Sequence, residues 1–194
     1  MGQNFILKIY QHAQTVFSTK ELSLIFPQTN FISLKNKLSY AVKTGKLVKL
    51  RKGIYAKTKY NFLEVVSKIY APSYISLETV LATKGIIFQK YENLFAISYL
   101  TRSIKVANRE IFYRKIKDKI LLNKIGIIEK DNYFIASKER AFLDAVFLYK
   151  DYHFDNLKPI DWEKIEEIKK IYTNKAFEKR ILDYFKIYQN EDVK

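Results

Sequence analysis

The sequence predicts an α+β chain in two parts: helices followed by a hairpin over residues 1–60, and helices around a small, mainly antiparallel sheet over 61–194. Three observations predict it. Apolar residues recur at helical spacing through the first 45 residues, broken by turn chemistry. After Gly45 the period shortens to that of strands. Between about 94 and 135 the chain turns β-branched and aromatic before helical spacing returns.

The chain has 194 residues, 48% of them apolar and 15% aromatic, enough to build a real core rather than a disordered basic tail. It has no cysteine, which removes disulfides and thiolate zinc sites, and its two histidines, His12 and His153, cannot build a metal site without carboxylates. No metal or other cofactor is expected. No apolar run reaches the roughly 18–20 residues that span a bilayer. Lys8 interrupts the apolar start, and Ile6 stands where a myristoylation signal wants Ser or Thr. A cytoplasmic protein is the expectation.

The net charge of +15 is unevenly spread. Residues 1–60 carry eleven Lys or Arg against a single acid, whereas residues 151–194 carry nine against ten. A lysine-rich composition alone would spread the excess along the chain. Charge concentrated in one third points to a polyanion, and nucleic acid is the commonest one.

Element by element, "NFILKIYQHA" (4–13) places apolar residues at 5, 6, 9, 10 and 13 and predicts a helix. "STKELSLIF" opens a second, with Ser18 and Glu21 spaced as a capping box. Phe26 and Pro27 end it, and "PQTN" is a turn. A third helix runs from about 31 to 44, with Leu34, Leu38, Ala41 and Val42 inward and Gly45 stopping it. "KLVKL" and "GIYAK" then flank the basic tip "RKG" as a hairpin. Two helices joined by a tight turn and followed by a basic hairpin are the layout of a winged helix-turn-helix.

On that layout the opposite arc of the third helix carries Ile32, Ser33, Asn36, Tyr40 and Lys43. Asn36 is the candidate base reader, because a carboxamide pairs bidentately with adenine in the major groove. Ser33 and Tyr40 suit either bases or phosphates. Lys35, Lys37, Lys43, Lys49, Arg51 and Lys52 are candidate phosphate contacts, which supply affinity with little sequence information.

Beyond residue 60, "NFLEVVSKIYA" (61–71) predicts a helix stopped by Pro72, and "SYISLETVLATKGII" (73–87) a second one ended by Gly85. "LFAISYL", "SIKVA", "EIFYRKI", "IGIIE" and "NYFIA" are the predicted strands. "SKERAFLDAVFLY" (137–149) is a buried helix capped by Ser137, and "DWEKIEEIKKIY" and "NKAFEKRILDYFKIY" are amphipathic helices.

The hairpin "GKLVKLRKGIYAK", then "YISLETVLATKGII", then "FIASKERAFLDAVFLY" together resemble, in order and rough spacing, the AbiEi-type regulators. These are antitoxins of type IV toxin–antitoxin (abortive infection) systems, and the resemblance spans most of residues 15–150. It implies a phage-defence protein that represses its own operon by binding inverted repeats with more than one copy. It also implies antagonism of a nucleotidyltransferase-like toxin without a stable complex. In the family's pattern the basic residues before "GIY" lie on the wing, which corresponds to Arg51 and Lys52.

Other functions fare less well. A nuclease needs acids converging on magnesium from separate strands, whereas Asp161, Glu163 and Lys164 in "PIDWEK" sit together at one predicted helix start. No phosphate-cradling or nucleophile-elbow glycine motif is present. An RNA-binding module is the other alternative, with Phe112 and Tyr113 amid basic residues, but in a strand those two rings point to opposite faces. A non-enzymatic DNA-binding repressor is therefore expected.

Overall fold

The computed structural model describes residues 2–191, gathered into two compact units. The first takes in residues up to 71 together with 131–133, and the second holds the remainder. The first unit thus extends past the change in charge composition near residue 60.

The first unit runs α1 (Gly2–Gln11), β1 (Val16–Ser18), α2 (Thr19–Ile25), α3 (Phe31–Lys43), β2 (Val48–Arg51) and β3 (Ile54–Ala56). A 3₁₀ turn (Phe62–Glu64) then leads into α4 (Val65–Ile69). The capping box forms as the sequence predicts: the Ser18 hydroxyl accepts from the Glu21 N–H, and the Glu21 carboxylate accepts from the Ser18 N–H at 2.8 Å. Asn30 caps α3 by accepting from the Ser33 N–H at 2.8 Å. At the other end Gly45 adopts φ +68°. That turn lets Lys46 N–H reach the Ala41 carbonyl at 2.9 Å and Gly45 N–H reach Val42 at 3.0 Å, a Schellman stop.

The hairpin differs in one detail from its sequence reading. Arg51 is the last residue of β2, paired with Ile54, so the turn is the two residues Lys52 and Gly53 rather than three. A bulge between Lys49 and Arg51 absorbs the extra residue. Gly53, at φ +81°, supplies the turn, and its carbonyl accepts from the Thr19 N–H at 2.8 Å and the Thr19 hydroxyl at 3.1 Å. The hairpin tip is thereby tied to the start of α2. Strand β1, which no sequence signal announced, pairs antiparallel with β3 and completes a three-stranded sheet in the order β1-β3-β2. Phe5, Ile9, Phe17, Leu22, Leu34, Leu38, Ala41 and Leu47 form the core, with Val42 half-buried against it.

The second unit contains β4 (Ser73–Ile75), α5 (Glu78–Thr83), β5 (Leu94–Ser98), β6 (Arg102–Val106), β7 (Arg109–Lys115) and α6 (Asp118–Leu121). It continues with β8 (Ile127–Lys130), β9 (Tyr133–Ala136, of which all but Tyr133 falls in this unit), α7 (Lys138–Leu148), α8 (Trp162–Ile168) and α9 (Lys175–Glu191). Two expectations need correction. The predicted helix over 73–87 begins as strand, because Tyr74 and Ile75 pair with Ile97 and Ala96 and only Glu78–Thr83 is helical. The sheet is also larger and more mixed than expected, with six strands in the order β6-β7-β5-β4-β9-β8. β5–β7 and β4–β9 are parallel pairs, whereas β6–β7 and β4–β5 are antiparallel. The reason lies in burial. β7 buries Ile111 and Tyr113 and half-buries Phe112 between them, so it takes the interior place beside β5. β6 exposes Arg102, Ser103 and Lys105 and serves as the edge.

This unit is organised around Arg140, whose side chain is fully buried on α7. Its guanidinium donates to the carbonyls of Ile120 (2.7 Å) and Ile125 (2.8 Å), to the Tyr74 hydroxyl (3.0 Å) and to Asp144 (3.4 Å). Asp144 also accepts from Tyr172 at 2.6 Å and Ser76 at 2.8 Å. Burial pushes the Asp144 carboxyl above its usual range, against the pull of Arg140 and the hydroxyl donors. A network closed to solvent in this way locks strand, loop and helices together.

Candidate nucleic-acid interface

The candidate residues stand on two elements of the first unit. Ser33, Lys35, Asn36, Lys37, Tyr40 and Lys43 lie on α3, Lys49 and Arg51 on β2, and Lys52 in the turn. All are exposed except Ser33, which is half-buried. At about 100° per residue, Ile32, Asn36, Tyr40 and Lys43 fall within a stripe about 80° wide, and Leu34, Leu38 and Ala41 face the opposite way into the core. Lys35 and Lys37 flank the stripe by about 100° on either side. The Lys35 ammonium sits 4.3 Å from the centre of the Phe31 ring, and that of Lys37 5.8 Å from Phe5.

The electrostatics follow from where the acids go. The first 71 residues contain twelve Lys or Arg and only two acids, Glu21 and Glu64. Glu64 is buried and accepts from Thr15 N–H (2.8 Å), the Thr15 hydroxyl (2.9 Å) and Val16 N–H (3.0 Å), anchoring the turn before β1. Glu21 closes the capping box and pairs with Lys68. Partial burial raises the Glu21 pKa, but Lys68 and the Ser18 donors outweigh it and hold the carboxyl below its usual range. Both acids serve the fold. Among the described residues, no carboxylate pairs with Lys35, Lys37, Lys43, Lys49, Arg51 or Lys52.

Not every lysine of the basic stretch faces outward. Lys57 is buried, and its ammonium donates to the carbonyls of Tyr10 (3.3 Å) and His12, capping the end of α1. Sequence spacing missed this, although Lys57 stands just past the hairpin in a run whose neighbours Tyr55 and Ala56 are apolar.

The residues weighed for other chemistry have local roles. Asp161 is the N-cap of α8, accepting from Lys164 N–H at 3.2 Å while the Lys164 ammonium lies 2.9 Å from its other oxygen. Phe112 and Tyr113 take opposite faces of β7, Tyr113 buried and Phe112 stacked on Phe95 at 5.2 Å between centroids. No helix among the described residues is long and apolar enough to cross a membrane. No family model matches the chain, and no curated protein is significantly similar to it.

Proposed function

We propose that the first unit is a winged helix-turn-helix that binds double-stranded DNA, with α3 in the major groove and the β2–β3 hairpin as the wing. The observation that carries this reading is the uncompensated cationic face. Six exposed Lys and Arg stand in or beside the outward stripe of α3 or on the hairpin, and the two acids of residues 1–71, Glu21 and Glu64, are both turned into structural hydrogen bonds. Cations so arranged neutralise phosphates, and Asn36 offers a carboxamide suited to adenine. The element order, helix–strand–helix–helix–hairpin, and the tethering of the turn to Thr19 support the same assignment.

From the resemblance to AbiEi-type regulators, the chain acts as a cytoplasmic repressor of its own operon and as the antitoxin of a type IV toxin–antitoxin pair. Several copies bind inverted repeats, and the second unit opposes a nucleotidyltransferase-like toxin without holding it in a stable complex. The protein is a regulator and not an enzyme.

Two assays test these roles. In a gel shift with the DNA upstream of its own gene, the full chain binds and a chain lacking residues 1–71 does not. In co-expression with the adjacent gene, the shortened chain still relieves growth arrest. Promoter binding by the shortened chain defeats the DNA assignment. Loss of all protection by a folded fragment defeats the assignment of antitoxin activity to the second unit.

A further inference from the structure

Resting on the DNA-binding reading above, we propose that the outward stripe of α3 reads an A·T-rich half-site. Ile32 and Tyr40 meet thymine C5-methyl groups on either side of a pair between Asn36 and adenine.

Ile32 is 74% exposed and Tyr40 63%, among the most exposed large apolar side chains in the protein. Each stands four residues from Asn36, one helical turn before it and one after it, so the three form a single row. An isoleucine and a tyrosine bracketing an asparagine on one exposed row suit an occupant that offers apolar groups beside one donor–acceptor pair. The occupant must also be anionic. Lys35 and Lys37 flank the row, Lys43 lies at its far end, and both acids of residues 1–71 are engaged elsewhere, Glu21 with Ser18 and Lys68 and Glu64 with Thr15 and Val16. A second copy of the same face would bring like charge against it. A lipid surface would strip the water from the Asn36 carboxamide and supply no matched partner.

The major groove of A·T pairs offers both requirements. Adenine presents N7 and N6–H₂ to a carboxamide, and thymine presents a methyl group to an apolar side chain. G·C pairs suit the row poorly. Guanine presents two acceptors best met by a bidentate cation, and cytosine presents a donor that wants a carboxylate. The row holds neither between Ile32 and Tyr40. Ile32 is the second residue of α3, near the end of a recognition helix from which base edges are reached. Two helical turns advance about 11 Å, which spans about three base pairs at about 3.4 Å each.

The test uses the full-length chain on a randomised duplex library, followed by chemical editing of the selected duplex. Deoxyuridine replaces each thymidine in turn, removing the C5-methyl and leaving base pairing intact, and binding is measured by fluorescence anisotropy beside a scrambled duplex. The expected site has an A·T-rich core. At one or two positions deoxyuridine weakens the unaltered protein about fourfold, the effect of one buried methyl. Ile32→Ala binds the thymidine duplex that much more weakly, no longer responds to deoxyuridine at its position, and holds scrambled duplex as tightly as before. If duplex is bound but the selected core is G·C-rich, or deoxyuridine changes nothing, the A·T reading is overturned while DNA binding stands. If the folded chain binds no duplex at all, the DNA reading fails and takes this inference with it.

Discussion

Asn36 and the hairpin cations are both exposed, but their chemistry divides specificity from affinity. Asn36 stands mid-row on α3 with its side chain clear of the core, so Asn36→Ala leaves stability unchanged. It weakens binding to the operator by about 1–3 kcal/mol and leaves binding to random duplex nearly as it was. On the proposed DNA-binding reading, Arg51→Ala at the end of β2 and Lys52→Ala in the turn each remove a phosphate contact. They weaken operator and random duplex alike and make the salt dependence shallower by about one unit per lost contact. Competitive binding of each variant to operator and scrambled duplex at two salt concentrations checks both. An equal loss on both duplexes for Asn36→Ala moves the reading residue elsewhere.

At the scale of the elements, two glycines separate conformational cost from crowding. Gly45 closes α3 at φ +68° with open space around the position of a Cβ, so Gly45→Ala costs only the left-handed backbone, about 1–2 kcal/mol. Gly126 adopts φ +74°, but there a Cβ would stand 2.9 Å from the Arg140 Cβ and 3.1 Å from Ile168 Cδ1. Gly126→Ala adds overpacking against a buried network and costs about 2–5 kcal/mol, measured by urea denaturation. The capping box of α2 has a pH signature. The depressed Glu21 carboxyl contributes stability that is full above the unfolded value of about 4.3 and is lost as pH falls through the lower folded value. Glu21→Gln therefore lowers stability at neutral pH and flattens its decline in acid, which denaturation midpoints between about pH 2 and 6 record. An unchanged acid decline in the variant would show that the loss arises from other groups.

Those same elements show where local chemistry is informative. The capping box at Ser18, the stop at Gly45 and the inward set Leu34, Leu38 and Ala41 were legible because each is encoded within a few residues. Strands β1 and β4 were not. Each is three residues long, and only pairing with β3 and β5 makes it a strand. The parallel pairs of the large sheet were hidden for the same reason, since partner choice is decided by burial across the whole sheet. Arg140 and Asp144 carried a signal that went unread: in "RAFLDAVFL" a charged pair four residues apart opens and interrupts an otherwise apolar run, and so has to find buried partners. In the candidate interface, composition exposed the excess of cations. It did not reveal that Glu21 would be engaged by Ser18 and Lys68, nor that Glu64 and Lys57 would be buried.

For the whole molecule, the asymmetry of charge is the organising fact. The chain carries +15, and two-thirds of that excess lies in residues 1–60. The central claim is that this excess forms a face for the phosphates of duplex DNA. The most direct measurement is the affinity of the full chain for random duplex as salt is varied from about 50 to 200 mM. With about five phosphates neutralised per protomer, the logarithm of the binding constant falls against the logarithm of salt with a slope of about −4 to −5. Measurable binding with a flat dependence would contradict the account, because it would leave the lysines of α3 and the hairpin merely solvated.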